Sequence, residues 1–106
     1  MNTWQRRFEV LLPRKFNDGS VVPDDLLAKT ILELEGQFGA LSSETQVIHG
    51  IWAKKGRKYR DELVRIFVDV DDDKANRKFF ARYKTRLKKR FRQLDIRITT
   101  YLVEEI

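Results

Sequence analysis

Residues 63–92 read LVRIFVDVDDDKANRKFFARYKTRLKKRFR, and this stretch decides the fold. Its first eight residues place apolar side chains at every even position from Val64 to Val70, which is the period of a β-strand with one buried face. Three aspartates at 71–73 then supply an N-cap and favourable charge at a helix start. Beyond Lys74, apolar residues recur every three or four positions and predict a helix ending near Leu94. The predicted buried stripe is Phe80, Tyr83, Leu87, Phe91 and Leu94.

Outside this stretch, the sequence predicts three more strands and one more helix. Trp4 to Leu12 alternates like a strand, and Pro13 ends it. Pro23 opens a helix with two acids in its first turn, and Gly39 is a suitable C-cap. Residues 45–52 and 96–103 have strand character, and residues 54–58 form a predicted hairpin loop. The buried stripe of the first helix is predicted at Leu27, Ile31, Leu34 and Phe38.

The predicted order is strand, helix, strand, strand, helix, strand. This is the order of the ferredoxin-like split β-α-β fold, an α+β sandwich with two helices on one face of a four-stranded antiparallel sheet. A chain of 106 residues fits one such domain over residues 1–106. The segment GRKYRDE at 56–62, followed by the strand at 64–70, resembles small uncharacterised bacterial domains of this fold. That resemblance implies a fold and no activity.

Composition excludes several classes of protein. The chain has no cysteine, so a disulfide-stapled scaffold, a thiolate zinc site and a cysteine nucleophile are excluded. The first seven residues lack the apolar core of a signal peptide, and no apolar run reaches membrane-spanning length. We expect a cytoplasmic protein without a membrane partner.

Positive charge is concentrated in one part of the chain. The net charge is +6 overall, and ten Lys or Arg residues lie between 74 and 92 without a single Asp or Glu. Such a block is either a polyanion-binding surface or a solvated helix face whose cations pair with acids elsewhere. Glu33 and Glu35 of the first helix are predicted to meet basic residues of the second.

The expected topology gathers three basic segments at one end of the sheet, which we call the basic pole. They are the connection after the first strand, the hairpin and the end of the second helix. Tyr59, among the hairpin cations, is placed to stack on a base. The cations are Arg14 and Lys15; Lys54, Lys55, Arg57, Lys58 and Arg60; and Lys88, Lys89, Arg90 and Arg92. We predict binding of nucleic acid or another polyanion here.

The sheet face without helices is a second candidate surface. Leu11, Phe67 and Tyr101 are predicted to lie there, at the centre of a homodimer interface. Single-stranded RNA-binding domains of this architecture stack bases on aromatics of this face. The glycine-aromatic signature of those domains is absent from residues 62–68, so an interface between copies is the preferred use.

No residue pattern indicates catalysis, a cofactor or a metal. His49 is the single histidine, and sequence does not decide whether it is buried or on the open sheet face. Aspartates 71–73 are better explained by helix capping than by a metal site. A small enzyme that uses His49 in a dimeric barrel is the third hypothesis. The polyanion-binding module is preferred, ahead of a structural or protein-interaction domain that dimerises through the open face.

Overall fold

A computed structural model describes residues 3–39, 42–54 and 57–106, with residues 42–54 and 57–61 described by their strand path and pairing alone. The elements follow the predicted order. They are β1 (Trp4–Pro13), α1 (Asp24–Phe38), β2 (Ser42–Lys54), β3 (Arg57–Val70), α2 (Lys74–Arg90) and β4 (Ile98–Glu104).

The strands form an antiparallel sheet in the order β2-β3-β1-β4. Glu9 of β1 lies opposite Phe67 of β3 on one side and Thr99 of β4 on the other. Pairing of β1 with β3 ends at Pro13 and Leu63, whereas pairing of β2 with β3 continues to the hairpin. The prediction of an α+β domain with two helices and an antiparallel sheet is confirmed.

The core lies between the two helices and the even-numbered face of the sheet. Phe8, Val10 and Leu12 of β1 are buried there, as predicted from their alternation. The ring of Phe8 stacks on that of Phe80 in α2 with centroids 4.2 Å apart. Burying each such side chain contributes roughly 1.5–3 kcal/mol, which fixes the helices on this face. The remaining members are Val22, Leu34, Ile66, Val68, Val70, Tyr83, Leu87, Phe91 and Ile96.

Both predicted caps are present. Gly39 ends α1 in the left-handed conformation, with φ 74° and its N–H donating to Glu35 O. The carboxylate of Asp73 accepts a hydrogen bond from the Asn76 N–H at 2.8 Å, so the last aspartate of the run begins α2. Local sequence therefore sets these two boundaries.

The end of α2 differs from the prediction. Arg92 adopts φ 53°, and the Gln93 N–H donates to Lys88 O at 2.9 Å while the Arg92 N–H donates to Lys89 O at 3.3 Å. These bonds form a Schellman motif that turns the chain away from the helix axis. Leu94 is consequently 91% exposed instead of buried, and Ile96 enters the core in its place.

Burial differs along the predicted faces of β1 and α1. Trp4, at the start of β1, continues the alternation of Phe8, Val10 and Leu12 but is 50% exposed. The predicted stripe of α1 faces the core, with Leu34 buried and Leu27, Ile31 and Phe38 half-buried against it, and Thr30 is a buried position that was not predicted. Thr30 is tolerated inside because its hydroxyl donates to Leu26 O at 2.9 Å.

Within the described residues, neither helix has the length and apolar character needed to cross a membrane.

Candidate anion-binding surface

The side of α2 next to α1, which we call the inner side, holds exposed Arg86 and largely buried Arg90 against one carboxylate of α1. The Arg86 Nη1 lies 3.0 Å from the Glu33 Oε2, and the Arg90 guanidinium contacts the Glu33 Oε1. Arg90 also donates to the Thr30 Oγ1 at 2.9 Å, and its side chain is only 9% exposed. Of the two acids predicted to meet basic residues of the second helix, Glu33 does so, whereas Glu35 is exposed and forms no ion pair with the described side chains. Arg90, assigned to the basic pole from sequence, instead joins the two helices.

Two other cations of α2 face carboxylates near the helix ends. Arg77 lies 3.8 Å from Asp72, which itself accepts from the Arg6 Nε at 2.7 Å. The Lys84 ammonium lies 3.0 Å from Asp95 and holds the pKa of that carboxyl below its ordinary value. Part of the positive block is thus neutralised, as the solvated-face alternative requires.

The outer side of α2 is different. Lys78, Arg82 and Lys89 are exposed, and none has a carboxylate within ion-pair distance among the side chains that the structure describes. At about 100° per residue these three positions fall within roughly 40° of one another around the helix axis. We call this row of cations the outer stripe. Lys78 and Arg82 lie one turn apart on it, and Lys89 lies about two turns further along α2.

At the C-terminal end of α2, two of the three segments of the basic pole lie together: the connection after β1 and the end of the helix. The Arg92 guanidinium lies 4.9 Å from the ring centroid of Phe16, and the Asn17 side chain donates to Arg92 O at 3.4 Å. These contacts hold the connection after β1 beside the helix end, with Arg14 and Lys15 in that connection. Asp18 lies nearby, and its hydrogen bonds from Ser20 lower the pKa of its carboxyl.

The hairpin part of the pole lies outside the described side chains. For Lys54, Arg57, Lys58, Tyr59 and Arg60 the structure describes the strand path alone. In the pairing of β2 with β3, Lys54 is opposite Arg57. This pair lies beyond the level of Pro13, the last residue of β1, which Arg14 and Lys15 follow in sequence. Lys55 lies outside the described residues altogether.

A shallow groove beside the outer stripe was not foreseen from sequence. Its volume is about 360 Å³, and it is lined by Gln37 at the end of α1 and by Phe79, Arg82, Tyr83 and Arg86 of α2. The rings of Phe79 and Tyr83 lie 5.3 Å apart and nearly parallel. The sequence did contain a pattern that indicates this groove. Phe79 and Tyr83 are four residues apart, and so are Arg82 and Arg86, so the members of each pair lie on one helix face. The groove places guanidinium groups beside an aromatic floor.

The open sheet face carries a connected ionic network instead of a bare aromatic platform. Arg7 makes two hydrogen bonds to Asp69, at 2.8 and 2.9 Å, and its guanidinium lies 4.2 Å from the ring centroid of Phe67. The Tyr101 hydroxyl donates to the Glu9 Oε1 at 2.5 Å, and this bond raises the pKa of the phenol. Because Arg7 lies over the Phe67 ring, that ring is not open to a stacking base.

The three residues proposed for a dimer interface share this open face. Phe67 and Leu11 are half-buried, and Tyr101 is 42% exposed. Arg65 approaches Glu9 at 3.8 Å, so charged groups surround the apolar members.

His49 lies opposite Glu62 in the register, and its side chain is outside the described set. Among the described side chains, no group of three or more His, Cys, Asp or Glu is arranged to hold a metal ion.

No protein-family model matches the sequence, and no curated protein matches it. Among solved structures, the chain is similar to a phage SAM lyase in complex with S-methyl-5'-thioadenosine, with a TM-score of 0.63 and 11% sequence identity. The superposition covers 95% of this chain and 90% of the other chain. At this identity the likeness shows a common fold and nothing about the site.

Proposed function

We propose that this protein is a binding module for nucleic acid, and that the outer stripe and the basic pole bind the phosphate backbone. The observation that carries the proposal is the division of the cations of α2. Arg86 and Arg90 share the carboxylate of Glu33, whereas Lys78 and Arg82 have no carboxylate among the described side chains.

The outer stripe is costly for an isolated protein. Like charges at a spacing of four, as at Lys78 and Arg82, destabilise a helix by roughly 0.2–0.5 kcal/mol per pair. Cations near the C-terminus of a helix are favoured by its dipole, which accounts for Lys88 and Lys89 without a ligand. The dipole gives no such benefit at positions 78 and 82. A polyanion lying along the helix removes the repulsion and accounts for these residues.

The groove beside the stripe favours single-stranded over double-stranded nucleic acid. Unpaired bases stack on aromatic side chains and on guanidinium planes, and such stacking contributes roughly 1–3 kcal/mol per base. Half-buried Phe79 and exposed Arg82 line the groove and supply both kinds of surface, while Tyr83 is buried beneath them. A single strand whose phosphates bind the outer stripe would place one of its bases in the groove.

The test is the binding of labelled single-stranded and double-stranded oligonucleotides over a salt series. We expect micromolar single-strand binding near physiological salt, with a logarithmic salt slope that reflects several phosphate contacts. Arg82→Glu should weaken binding at least about tenfold and reduce the slope. Lys29→Glu, an equal charge change at an exposed site of α1, is the matched control and should change affinity less than about twofold. Absence of binding at low salt would refute the proposal.

A second candidate function follows from the similarity to the phage SAM lyase. That protein binds S-methyl-5'-thioadenosine, and the superposition covers nearly the whole of both chains. We infer that an adenine nucleoside is the small molecule most worth testing, either as a ligand or as part of a substrate. Thermal stabilisation by S-methyl-5'-thioadenosine or SAM, and consumption of SAM on incubation, are the measurements. No stabilisation at millimolar ligand and intact SAM would exclude this function.

The proposal includes assignment to the ferredoxin-like architecture. It is supported by the strand order β2-β3-β1-β4, by antiparallel pairing of every neighbour, and by helices packed on one face. In that architecture the segment after β1, the β2–β3 hairpin and the end of α2 lie at one pole, which is the arrangement that phosphate binding needs.

A further inference from the structure

β4 is an edge strand with unusual chemistry for this chain. Residues 98–103 read ITTYLV and carry no charge, although 36% of the chain is charged. Thr100, Tyr101 and Leu102 are exposed, and Leu102 reaches 48% exposure. Edge strands are normally protected by charge, proline, a bulge or shortness. β4 has no charge or proline over these six residues, and it pairs with β1 without a shift of register.

The hydrogen bonds of β4 show which groups lie at its outer edge. The Leu11 N–H donates to Arg97 O at 3.0 Å, and the Glu105 N–H donates to Thr3 O at 2.8 Å. Odd-numbered residues therefore direct their backbone groups towards β1. In an antiparallel ladder the even-numbered residues direct theirs the other way. The N–H and C=O groups of Ile98, Thr100 and Leu102 are thus aimed at the outer edge.

We propose that a second copy of the chain adds its own β4 to this edge, antiparallel, around a two-fold axis at Tyr101. The two sheets then form one continuous eight-stranded sheet with the helices of both copies on the same side. The proposal is independent of nucleic-acid binding. It also differs from a dimer that buries the open sheet face, because it uses backbone groups and leaves the network around Glu9 intact.

Charge complementarity selects the register. A two-fold axis at Tyr101 places Arg97 of each copy opposite Glu105 of the other, on the same face of the sheet. An axis at Thr100 places Arg97 opposite Val103 and leaves both charges without a partner across the edge. Opposite charges directly across a strand pair stabilise it, so the first register is favoured. Thr100 then lies opposite Leu102 of the second copy.

The interface formed by one strand from each copy is small. Stable complexes bury roughly 1,200–2,000 Å², and pairing of two seven-residue strands buries less. We therefore expect a monomer–dimer equilibrium with a dissociation constant of about micromolar order.

Single cysteines test the register directly, because the chain has none of its own. At the two-fold axis, Tyr101→Cys places two Cα atoms ~4.5 Å apart across a pair without mutual hydrogen bonds, which suits a disulfide. Thr99→Cys is the matched control on the same face, where the equivalent atoms lie roughly 14 Å apart. Under mild oxidation we expect cross-linked dimer for Tyr101→Cys, formed at least tenfold faster than for Thr99→Cys. Equal rates would overturn the register.

Thr100→Pro tests the edge without depending on a cross-link. Its N–H points away from β1, so proline removes a donor of the outer edge and keeps the ladder to β1. We expect sedimentation analysis to find wild type partly dimeric at high protein concentration and Thr100→Pro monomeric with unchanged circular dichroism. A wild-type protein that stays monomeric overturns the proposal. So does a dimer that survives Thr100→Pro and is lost in Phe67→Asp, since it would lie on the open face.

Discussion

The inner and outer sides of α2 both carry cationic side chains, but those of the inner side contact a carboxylate and those of the outer side do not, among the described side chains. On the inner side, Arg86 and Arg90 converge on Glu33, and Arg90 is almost completely withdrawn from solvent. On the outer side, Lys78 and Arg82 extend into solvent with no carboxylate among the described side chains. The contrast teaches that a run of cations in sequence is not one functional unit. Its members divide into those that hold the fold together and those that are available to a ligand.

The largest expected effect comes from breaking the inner side. Glu33→Ala leaves Arg90 poorly exposed and without its carboxylate, and we expect a loss of about 2–4 kcal/mol in the free energy of unfolding. Urea denaturation followed by circular dichroism measures it. Glu35→Ala, at an exposed site one turn from the helix end, is the control and should cost less than about 0.5 kcal/mol. Equal effects of the two variants would show that the contact with Arg90 contributes nothing particular.

A pair of matched substitutions sharpens the comparison. Arg82→Gln and Arg86→Gln remove the same charge from adjacent turns of one helix. We expect Arg82→Gln to weaken oligonucleotide binding by several-fold, with less than about 0.5 kcal/mol change in stability. Arg86→Gln should lower stability by about 0.5–1 kcal/mol, because it loses an exposed ion pair, and should reduce binding less. If both substitutions weaken binding equally, the nucleic acid does not distinguish the outer side of α2 from the inner side, and that part of the proposal is wrong.

The end of α2 provides a smaller test. Arg92 has a left-handed backbone, which glycine adopts without strain and residues with a Cβ adopt at a cost of roughly 1 kcal/mol. We expect Arg92→Gly to be more stable than Arg92→Ala by about 1 kcal/mol in urea denaturation. Both variants lose the contact with Phe16, so the comparison isolates the backbone. Oligonucleotide binding should fall equally in both, because each lacks the guanidinium.

The smallest expected effect is a pH dependence at the exposed pair Lys84–Asp95. Hydrogen bonding to Lys84 lowers the pKa of Asp95 in the folded protein. A lowered pKa means that this stabilisation is present above the ordinary aspartate value, about 3.9, and is lost as the pH falls through the folded-state value. Asp95→Asn should reduce stability slightly at pH 7 and hardly at all near pH 2. In a Lys84→Gln background the same substitution should have little effect at either pH.

Periodicity and capping chemistry are what made the fold predictable. Alternation from Phe8 to Leu12 and from Val64 to Val70 placed the buried face of the sheet, because strand side chains alternate whatever the tertiary structure. Asp73 and Gly39 marked helix boundaries through local hydrogen bonding and backbone conformation. These signals depend on neighbours in sequence and so survive without knowledge of the fold.

The misses have two origins, one local and one distant in sequence. Leu94 continues the helical period, and the local left-handed turn at Arg92 removes it from the core. Arg90 and Lys89 are equivalent in sequence, and the position of Glu33, 57 residues from Arg90, decides that one is buried and the other exposed. The groove at Phe79 was overlooked because Phe80 alone fitted the core stripe. Which cations remain available to a ligand is therefore a property of the packed helix pair.

The local origin of both ends of α2 has a consequence for how the chain folds. Its first turn is fixed by Asp73 and its last by the Schellman bonds of Arg92 and Gln93, all within the helix's own sequence. Such a segment needs no distant contact to set its boundaries, so it can nucleate before the sheet assembles. We expect a peptide of residues 71–94 to hold measurable helicity in water. β3 and β4, which precede and follow α2 in sequence, would then pack onto a helix whose two ends are already set.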